Sequence, residues 1–392
     1  LNIGDELLLL LGNGVQTQYQ SLRKAGFYKP KVGGGGINRE VRLPEFLQED
    51  AAYLLGYMNG DGYAHHGENG SIKAIKMATA DNYPEIRERI INAVQDVFNL
   101  EATIEDGDGE CKSISMYSRI VIDWMILNNL IKAKSANIRV PEIIFKSPSR
   151  VQLAFVAGYF DADGCNRGDK GGYGFDSISL EMLQDVQKIL ILNGIVSTIK
   201  TFERPEGNWK TIYRLTITGS QFKQMFADKV PTAKISNDNG TRDMYNTYPS
   251  NIINTIGIRP KYRQSIYDGV SHRISHGQLT AIATRLDENQ EVKQAEQLRQ
   301  LMHTMPDTIA SIEPYAVEET YDFEVDDVHL LSGSGIYSSN SRRGALMLIL
   351  NDYHPDVLNF IDSKKKAGQI TNANISVGIS DRFMDAVKND GD

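Results

Sequence analysis

A nine-residue motif that occurs twice limits the folds open to this chain more than any other feature. Residues 54–62 read LLGYMNGDG and residues 156–164 read VAGYFDADG, so that Asp61 and Asp163 lie 102 residues apart. Each copy follows an apolar run of helical character and ends in Asp-Gly, and glycine readily takes the left-handed conformation that ends a helix. The sequence therefore predicts two helices, each with an aspartate in its last turn.

Small residues within the motif predict that the two helices pack against each other. They recur at a spacing of four and are Gly56, Gly60, Gly158 and Ala162. An interior glycine costs a helix about 1 kcal/mol relative to alanine, and close contact between two backbones would offset that cost. An aspartate at a helix C-terminus is unfavourable by roughly 0.3–1 kcal/mol unless a cation is nearby. Two such aspartates side by side predict a divalent metal with oxygen ligands.

The stretches after the two motifs predict the same order of elements. After the first motif they are a strand over 72–79, a helix over 84–99, a hairpin over 102–118 and a helix over 119–130. After the second they are a strand over 173–179, a helix over 180–193, a hairpin over 196–218 and a helix over 221–228. The chain therefore contains an internal repeat of an αββαββα unit. One Asp-Gly alone is more typical of a simple turn.

The two motifs resemble those of monomeric LAGLIDADG homing endonucleases, and residues 134–164 resemble the family's segment that leads into its second motif. The resemblance implies an α+β fold with pseudo-twofold symmetry, in which two β-sheets form a saddle on double-stranded DNA. It also implies that Asp61 and Asp163 hold Mg²⁺ for hydrolysis of phosphodiester bonds. Asn59 stands where the family has its first aspartate, whereas the metal-holding aspartate is present in both copies.

Four basic residues are candidates for a catalytic role on the same resemblance. The family often has a lysine three residues before the proline of the lead-in segment. Here that position is Ile138, with Arg139 next to it and Lys134 upstream. In the second half, Lys229 and Lys234 are the candidates for the matching role. We expect these four basic side chains to support the two carboxylates.

The distribution of charge favours nucleic acid, although the total charge does not. The 392 residues carry a net charge of −8, with a pI near 5.5. Residues 111–150 contain seven Lys/Arg against two Asp/Glu, and residues 197–234 contain seven against three, whereas residues 281–330 contain three against twelve. Both basic segments fall on hairpins and following helices of the repeat, where a DNA-binding surface needs them. Solvated charged faces remain the alternative for either segment alone.

Cysteine usage and hydropathy indicate an intracellular protein. Cys111 and Cys165 show neither metal-site spacing nor a disulfide framework, which fits a reducing compartment. The longest apolar run, Leu7–Leu11, is too short to span a membrane and follows two acidic residues, so it is not a signal sequence. We expect a cytoplasmic fragment without membrane partners. His65 and His66 are adjacent, point apart and are predicted to lie in an exposed loop rather than to bind metal.

A second informative stretch lies in the C-terminal part of the sequence. Residues 320–329 read TYDFEVDDVH, and Asn340 precedes Ser341. The asparagine amide can attack its own carbonyl and break the chain, and the following serine can accept an acyl group. The stretch resembles the C-terminal splicing blocks of inteins. The resemblance assigns cyclisation to Asn340, the downstream nucleophile to Ser341, assistance of the asparagine step to His329, and support of acyl transfer to Asp322.

The upstream half of an intein is visible only as a remnant. Residues 1–14 resemble the strand that usually follows the first splicing block, and the initiating residue would belong to an upstream intein and reductase segment acting as a partner. Four glycines at 33–36 lack the strand and the Lys-Ser/Thr of a phosphate-binding loop, which favours a linker. Ser339 stands where the intein family usually has a second histidine, so we expect slow cleavage at Asn340.

The last 52 residues, 341–392, resemble the large catalytic subunit of ribonucleotide reductases of the barrel type. The resemblance rests on RRGA at 342–345, HPD at 354–356 and NANISV at 372–377. This segment contains no cysteine. A radical or redox cysteine is therefore absent from it, and we expect it not to bind the metal or cobalamin cofactor of the reductase.

Together these features predict a LAGLIDADG endonuclease inserted in a mostly β intein splicing (Hint) domain. The predicted segments are 1–43, a splicing remnant and linker; 44–235, the endonuclease; 236–310, a partly helical connector; 311–340, the C-terminal splicing blocks; and 341–392, the reductase flank. The expected activity is Mg²⁺-dependent cutting of the uninterrupted host gene. The alternative is a functional reductase that carries a decayed endonuclease, able to bind DNA without cutting it.

Overall fold

The computed structural model describes residues 2–12, 17–23, 41–107, 111–167, 172–203, 210–235, 247–264, 266, 273–314, 319, 330–333, 336–339, 346–363 and 373–391. These residues form two compact units. The first comprises residues 1–312 and 334–336, and the second comprises residues 313–333 and 337–392. The predicted splicing residues lie outside the described residues; they are Asp322, His329, Asn340 and Ser341.

The first half of the repeat follows strand β1 (Glu6–Leu10) in the first unit. Its elements are α1 (Glu49–Asp61), β2 (Gly62–His66), β3 (Ile72–Ala80), α2 (Pro84–Phe98), β4 (Thr103–Asp106), β5 (Cys111–Met116) and α3 (Arg119–Leu127). Proline at the first position of α2 and left-handed Asn99 after its end fix the length of that helix. His65 and His66 are exposed as predicted, but they lie on β2 rather than in a loop.

The second half has the same order. After the short helix α4 (Glu142–Phe145), its elements are α5 (Ser149–Asp163), β6 (Gly164–Asn166), β7 (Tyr173–Ser177), α6 (Leu180–Leu192), β8 (Thr198–Phe202), β9 (Ile212–Ile217) and α7 (Ser220–Lys229). The strands of the two halves form antiparallel sheets of order β2-β3-β5-β4 and β6-β7-β9-β8. The predicted mixture of helices and strands is confirmed.

The seam between the halves is the contact between α1 and α5, which are buried along most of their length. A Cβ atom on Gly56 would overlap the carbonyl oxygen of Phe155, and one on Gly158 would overlap the carbonyl oxygen of Tyr53. The two backbones therefore touch at both glycines. Because a helix that is apolar all round must be buried on all sides, the sheets and outer helices of both halves pack around this pair in one core.

The segment between the repeat and the end of the first unit is a folded module with a core of its own. It contains β10 (Thr247–Pro249), α8 (Ile252–Thr255), α9 (Pro260–Arg263), β11 (Arg273–Ser275), α10 (His276–Glu288) and α11 (Val292–Met302). Its core includes Tyr248, Leu279 and Leu298. The helical pattern predicted over 278–302 is therefore two helices. The chain breaks between them because Gln290 has a positive φ of 61°.

Strand β12 (Thr304–Thr308) returns to the N-terminal strand. It pairs antiparallel with β1 from Glu6 opposite Thr308 to Leu10 opposite Thr304. Leu9 also pairs with Ile336. Three segments that are distant in sequence thus meet at one short strand in the first unit.

The second unit contains a parallel pair of strands with two helices. The elements in this part of the chain are β13 (Leu330–Gly333), β14 (Ile336–Ser339), β15 (Leu346–Asn351), α12 (Val357–Asp362), β16 (Ala373–Gly378) and α13 (Asp381–Lys388). Strands β15 and β16 pair in parallel from Leu346 opposite Ala373 to Asn351 opposite Gly378. Ser380 begins α13 and accepts a hydrogen bond from the Phe383 amide.

Candidate active site at the ends of the motif helices

The two motif aspartates are the last residues of α1 and α5. The helices lie so close at this end that a Cβ on Gly60 would come within 3.3 Å of Asp163 Cγ. Asp163 therefore lies beside Gly60, the residue that precedes Asp61. The structure brings the two predicted carboxylates together at one end of the seam, where the negative ends of two helix dipoles also meet.

The glycines that follow the aspartates have a different role from the predicted one. Gly62 has φ −101° and Gly164 has φ −82°, so both are extended rather than left-handed. They are glycine for a steric reason. A Cβ on Gly62 would overlap the Met58 backbone, and one on Gly164 would overlap the Phe160 ring. The chain thus passes from each helix directly into the first strand of a sheet, and the carboxylate stays at the junction.

The surroundings of the two carboxylates disfavour their negative charge. Burial of Asp163, together with the nearby charge of Asp61, raises the pKa of Asp163 to about 6. Asp61 is more exposed, yet the loss of hydrating water on its protein side also raises its pKa. A bound divalent cation would favour the ionised form of both groups. The electrostatics of the pair therefore fit a metal with carboxylate ligands.

Two lysines flank the carboxylates in matching positions. Lys132 Nζ donates to the carbonyl oxygens of Gly60 and Gly62, the latter at 2.9 Å. Lys234 Nζ donates to the carbonyl oxygens of Ala162 and Gly164, at 2.8 and 3.0 Å. Each lysine thus hydrogen-bonds to the C-terminal end of one motif helix.

The pKa values of both lysines are lowered. Burial lowers the pKa of Lys132 and of Lys234, and the carboxylates Asp61 and Asp163 oppose that shift. A lysine with a lowered pKa transfers its proton more readily near neutral pH than an ordinary one. The two ammonium groups also offset part of the negative charge at the helix ends.

Lys132 was not among the residues predicted from the sequence. Its signal lies in the repeat itself, because Lys132 precedes Lys234 by 102 residues, the same offset that separates Asp61 from Asp163. Lys234 was predicted and lies at the carboxylates. The position three residues before the proline of the lead-in segment is Ile138, and the lysine predicted upstream of it, Lys134, is exposed and lies just before a 3₁₀ turn over Ser135–Asn137.

The other predicted basic residues lie in different surroundings. Arg139 forms two hydrogen bonds of 3.0 Å with buried Asp185, which also accepts a hydrogen bond from the Val140 amide. This pair ties the lead-in segment to α6. Lys229 donates to the carbonyl oxygen of Asn193 at 2.7 Å. Both side chains therefore stabilise chain segments, and neither contributes to the charges that shift the motif carboxylates.

The metal-binding capacity of the site comes from the two aspartates. Within the described ranges, no three His, Cys, Asp or Glu side chains are grouped as a metal site. Mg²⁺ commonly binds one or two protein carboxylates and completes its shell with water and substrate phosphates. Two neighbouring carboxylates at the mouth of the seam fit that pattern, because the remaining ligands would come from DNA and solvent.

Both sheets carry charged side chains that are held by neighbours. On the first sheet, Lys76 pairs with Glu105, which also accepts a hydrogen bond from Tyr117. On the second sheet, Asp176 pairs with both Arg214 and Arg167 at 2.7 Å. These pairs hold long cationic side chains in defined orientations. On the second sheet one carboxylate thus holds two cations, whereas on the first sheet Lys76 and Lys112 pair with separate carboxylates.

Two segments of the chain match family models. Residues 150–231 match the LAGLIDADG-like domain, and residues 334–392 match the barrel domain of ribonucleotide reductase. The first match starts at α5 and ends just before Lys234. The resemblance of the second half of the repeat and of the last segment to these two families is thereby confirmed at the level of the domain.

Several curated proteins share most of this chain. It is 26% identical over 319 residues to glutamine–fructose-6-phosphate aminotransferase of Methanocaldococcus jannaschii, covering 77% of this chain and 28% of that protein. It is 25% identical over 320 residues to the ribonucleoside-diphosphate reductase NrdEB subunit alpha of Bacillus subtilis, covering 75% and 25%. It is 24% identical over 350 residues to the replicative DNA helicase DnaB of Rhodothermus marinus, covering 79% of this chain and 36% of that protein. The chain spans between a quarter and just over a third of these relatives.

Solved structures of the homing endonuclease I-DmoI and of a LAGLIDADG domain are also similar in part. The structure of I-DmoI in complex with DNA and Mn has a TM-score of 0.36 and 18% identity, and the match covers 48% of this chain and 98% of that one. The N-terminal LAGLIDADG domain of DUF199/WhiA has a TM-score of 0.33 and 12% identity, with coverage of 47% and 84%. Within the described part of the chain, no helix is both long and apolar enough for a transmembrane span.

Proposed function

We propose that the repeat is a metal-dependent DNA endonuclease with one site at each motif helix end. The observation that carries the proposal is the pair Asp61 and Asp163, brought together where two helices end and flanked by Lys132 and Lys234. The match of residues 150–231 to the LAGLIDADG-like domain supports it. The substrate would be double-stranded DNA that spans both sheets.

Each group at the site has a chemical task in this proposal. Asp61 and Asp163 would hold Mg²⁺, which supplies activation of water and stabilisation of charge on the leaving oxygen. Because the pKa of Asp163 is raised to about 6, metal must compete with a proton for this carboxylate below about pH 6. The Nζ atoms of Lys132 and Lys234 would donate to oxygens on which negative charge develops. Because each lysine sits at one helix end, each would serve one DNA strand.

We further infer that the endonuclease is part of an inserted element. The relatives named above have unrelated activities by name, yet each shares at least 75% of this chain. Any two of them must therefore share at least half of it. A segment that recurs in an aminotransferase, a reductase and a helicase is not specific to any one of those reactions. An intein, which moves between host genes, accounts for this distribution.

The splicing part of the proposal rests on the sequence and on one strand. Asn340 would cyclise, Ser341 would act as the downstream nucleophile, and His329 and Asp322 would assist them. Pairing of β1 with β12 and of Leu9 with Ile336 joins the N-terminal strand to two later segments of the first unit, which supports this part of the proposal. If Ser339 limits cyclisation, Ser339→His will cleave faster at Asn340 in an intact-mass time course. Equal rates would show that this position is not limiting.

The host would be a ribonucleotide reductase. Parallel strands are normally covered on both faces, and consecutive strand residues point to opposite faces. In β15, however, Met347, Leu348 and Ile349 are all exposed. We propose that β15 and β16 belong to a reductase barrel whose other elements cover these faces. The match of residues 334–392 to the barrel domain supports this assignment.

The test of the endonuclease is cleavage of a linear DNA that carries an uninterrupted reductase gene of the same source. With Mg²⁺ we expect a discrete double-strand cut near the codon for Ser341, and none with chelator. Binding without a cut, measured by gel shift on the same DNA, would instead support the alternative of a decayed endonuclease. If the protein neither binds nor cuts this DNA, the proposal is wrong.

A further inference from the structure

Asp161 is a buried carboxylate that the proposed reaction does not use directly. It occupies the first acidic position of the second motif, and its side chain is 2% exposed. One oxygen, Oδ2, accepts a hydrogen bond of 2.8 Å from the Tyr53 hydroxyl and lies 3.8 Å from Arg89. The other, Oδ1, accepts from the Thr232 hydroxyl and from the Ala233 amide, the latter at 3.1 Å. The two oxygens therefore face different parts of the molecule.

The Oδ1 side leads directly to a lysine of the candidate site. Thr232 Oγ1 donates to Asp161 and accepts a hydrogen bond of 3.1 Å from the Lys234 amide. Arg89 donates to the carbonyl oxygen of Pro231. The segment 231–234 is thus fixed at consecutive residues just before the Lys234 side chain turns to the end of α5. The Oδ2 side contacts Tyr53 of α1 and reaches the segment indirectly, through Arg89.

Among the described residues of the first half, no equivalent of this network is present. Asn59, at the position matching Asp161, donates to the carbonyl oxygen of Leu55 in its own helix at 2.8 Å. Leu130, which precedes Lys132 as Thr232 precedes Lys234, is apolar and buried. The segment before Lys132 is therefore held by packing of apolar side chains, whereas the segment before Lys234 is held by hydrogen bonds to a buried carboxylate.

We propose that Asp161 is the positioning residue of Lys234 and thereby controls the cutting of one DNA strand but not of the other. The proposal rests on the proposed endonuclease. A displacement of a catalytic group by about 1 Å can cost up to about a hundredfold in rate. Loss of the Thr232 link removes one of several contacts to the segment, so we expect a smaller loss of about tenfold for the strand that depends on Lys234.

Two hydroxyl deletions on opposite sides of the same carboxylate separate positioning from simple stability. Thr232→Val removes the donor on the Oδ1 side, and Tyr53→Phe removes the donor on the Oδ2 side, each with little change in volume. The substrate is the reductase-gene DNA with a different label on each strand, under single-turnover conditions with Mg²⁺. The measured quantity is the ratio of the two strand-cleavage rates, together with the melting temperature of each variant.

We expect Thr232→Val to change that ratio about tenfold and to accumulate nicked DNA. Tyr53→Phe should lower the melting temperature and leave the ratio unchanged. Thr232→Ser, which keeps the hydroxyl, should restore the parental ratio. An unchanged ratio in Thr232→Val, or the same change in Tyr53→Phe, would overturn the positioning role alone. If the parent protein cuts neither strand, the proposed endonuclease itself is wrong, and this inference falls with it.

Discussion

The first and second halves of the repeat have the same elements in the same order, yet they hold their lysines by different means. In the first half, the segment before Lys132 packs through Leu130. In the second half, Asp161 anchors the segment before Lys234 through Thr232. The backbone symmetry places two equivalent groups at the seam. The side chains then determine how firmly each group is held, so the two strands of a DNA substrate would meet similar but unequal sites.

The sheets of the two halves also differ in how they hold their cationic side chains. The first uses a Lys76–Glu105 pair, and the second uses Asp176 to hold Arg214 and Arg167. Arginine offers planar, two-pronged hydrogen bonding that lysine lacks. A DNA site bound across both sheets would therefore be contacted more strongly on the second half.

The two halves are most alike at the contact between α1 and α5, and substitutions there should have the largest effects on stability. Gly56→Ala and Gly158→Ala each force a Cβ into a carbonyl oxygen of the opposite helix. We expect each to lower the free energy of unfolding by about 3 kcal/mol or more, measured by urea denaturation. Ala162→Gly, on the same stripe, is the control and should cost about 1 kcal/mol. Tolerance of one glycine substitution but not the other would break the symmetry of the seam.

The two lysines should have equal and separable effects on cutting. We expect Lys132→Met and Lys234→Met each to slow cleavage of one strand by about a hundredfold, on opposite strands, because general acid–base groups contribute at least that much. Strand-labelled DNA would show nicked product in both cases. Lys134→Met serves as the matched control, since Lys134 is exposed and is not among the charges that shift the motif carboxylates, and it should cut like the parent. Loss of activity in that control would favour the lysine predicted from the lead-in segment.

The stability of the metal-free protein should reveal the cost of burying the Asp163 charge beside Asp61. The pKa of Asp163 rises from 3.8 to about 6 on folding, so the folded protein binds this proton more tightly than the unfolded chain does. The stability from this proton is fully present below about pH 4 and is lost as the pH rises through about 6. In chelator at pH 7, Asp163→Asn should therefore gain about 2 kcal/mol, and the gain should vanish near pH 4.

Asp61→Asn sharpens that comparison, because Asp61 is the more exposed of the two. Its gain should have the same sign and be smaller. Urea denaturation of both variants at pH 4 and pH 7 measures the difference. A loss of stability at pH 7 in Asp163→Asn would mean that Lys132 and Lys234 outweigh burial at this site.

The smallest effects concern DNA affinity. Arg214→Ala and Lys76→Ala each remove one cation from a sheet, and each should reduce the slope of log affinity against log salt by about 1 if it contacts a phosphate. We expect Arg214→Ala to weaken binding more at fixed salt, because Asp176 holds its guanidinium in place. Fluorescence anisotropy over a salt series measures both quantities. Equal losses would remove the proposed difference between the sheets.

The sequence predicted the seam and most elements because their signals are local or repeated. The apolar runs before the aspartates, with small residues four apart at Gly56 and Gly60 and again at Gly158 and Ala162, were sufficient to predict the two packed helices. Lys132 was missed, although the 102-residue offset of the repeat points to it. Lys132 and Lys234 lie in the irregular segments after α3 and α7, which have no helix or strand pattern of their own to mark the repeat.

Other features had no readable signal. Gly62 and Gly164 were expected to be left-handed, but packing against Met58 and Phe160, not backbone conformation, requires glycine there. The roles of Asp161 and Asp185 depend on partners about 70 and 46 residues away. The sequence does not distinguish a buried carboxylate from an exposed one, because its hydrogen-bond donors are brought to it only by the fold.

The most direct test of the account compares the parent with Asp61→Asn and Asp163→Asn on the strand-labelled reductase-gene DNA in Mg²⁺. Asparagine keeps the volume and removes the charge that holds the metal. The account predicts a discrete double-strand cut by the parent, and at least about a hundredfold loss in both variants with DNA binding retained. Variants that cut as fast as the parent would contradict the claim that the paired helix ends form the catalytic site.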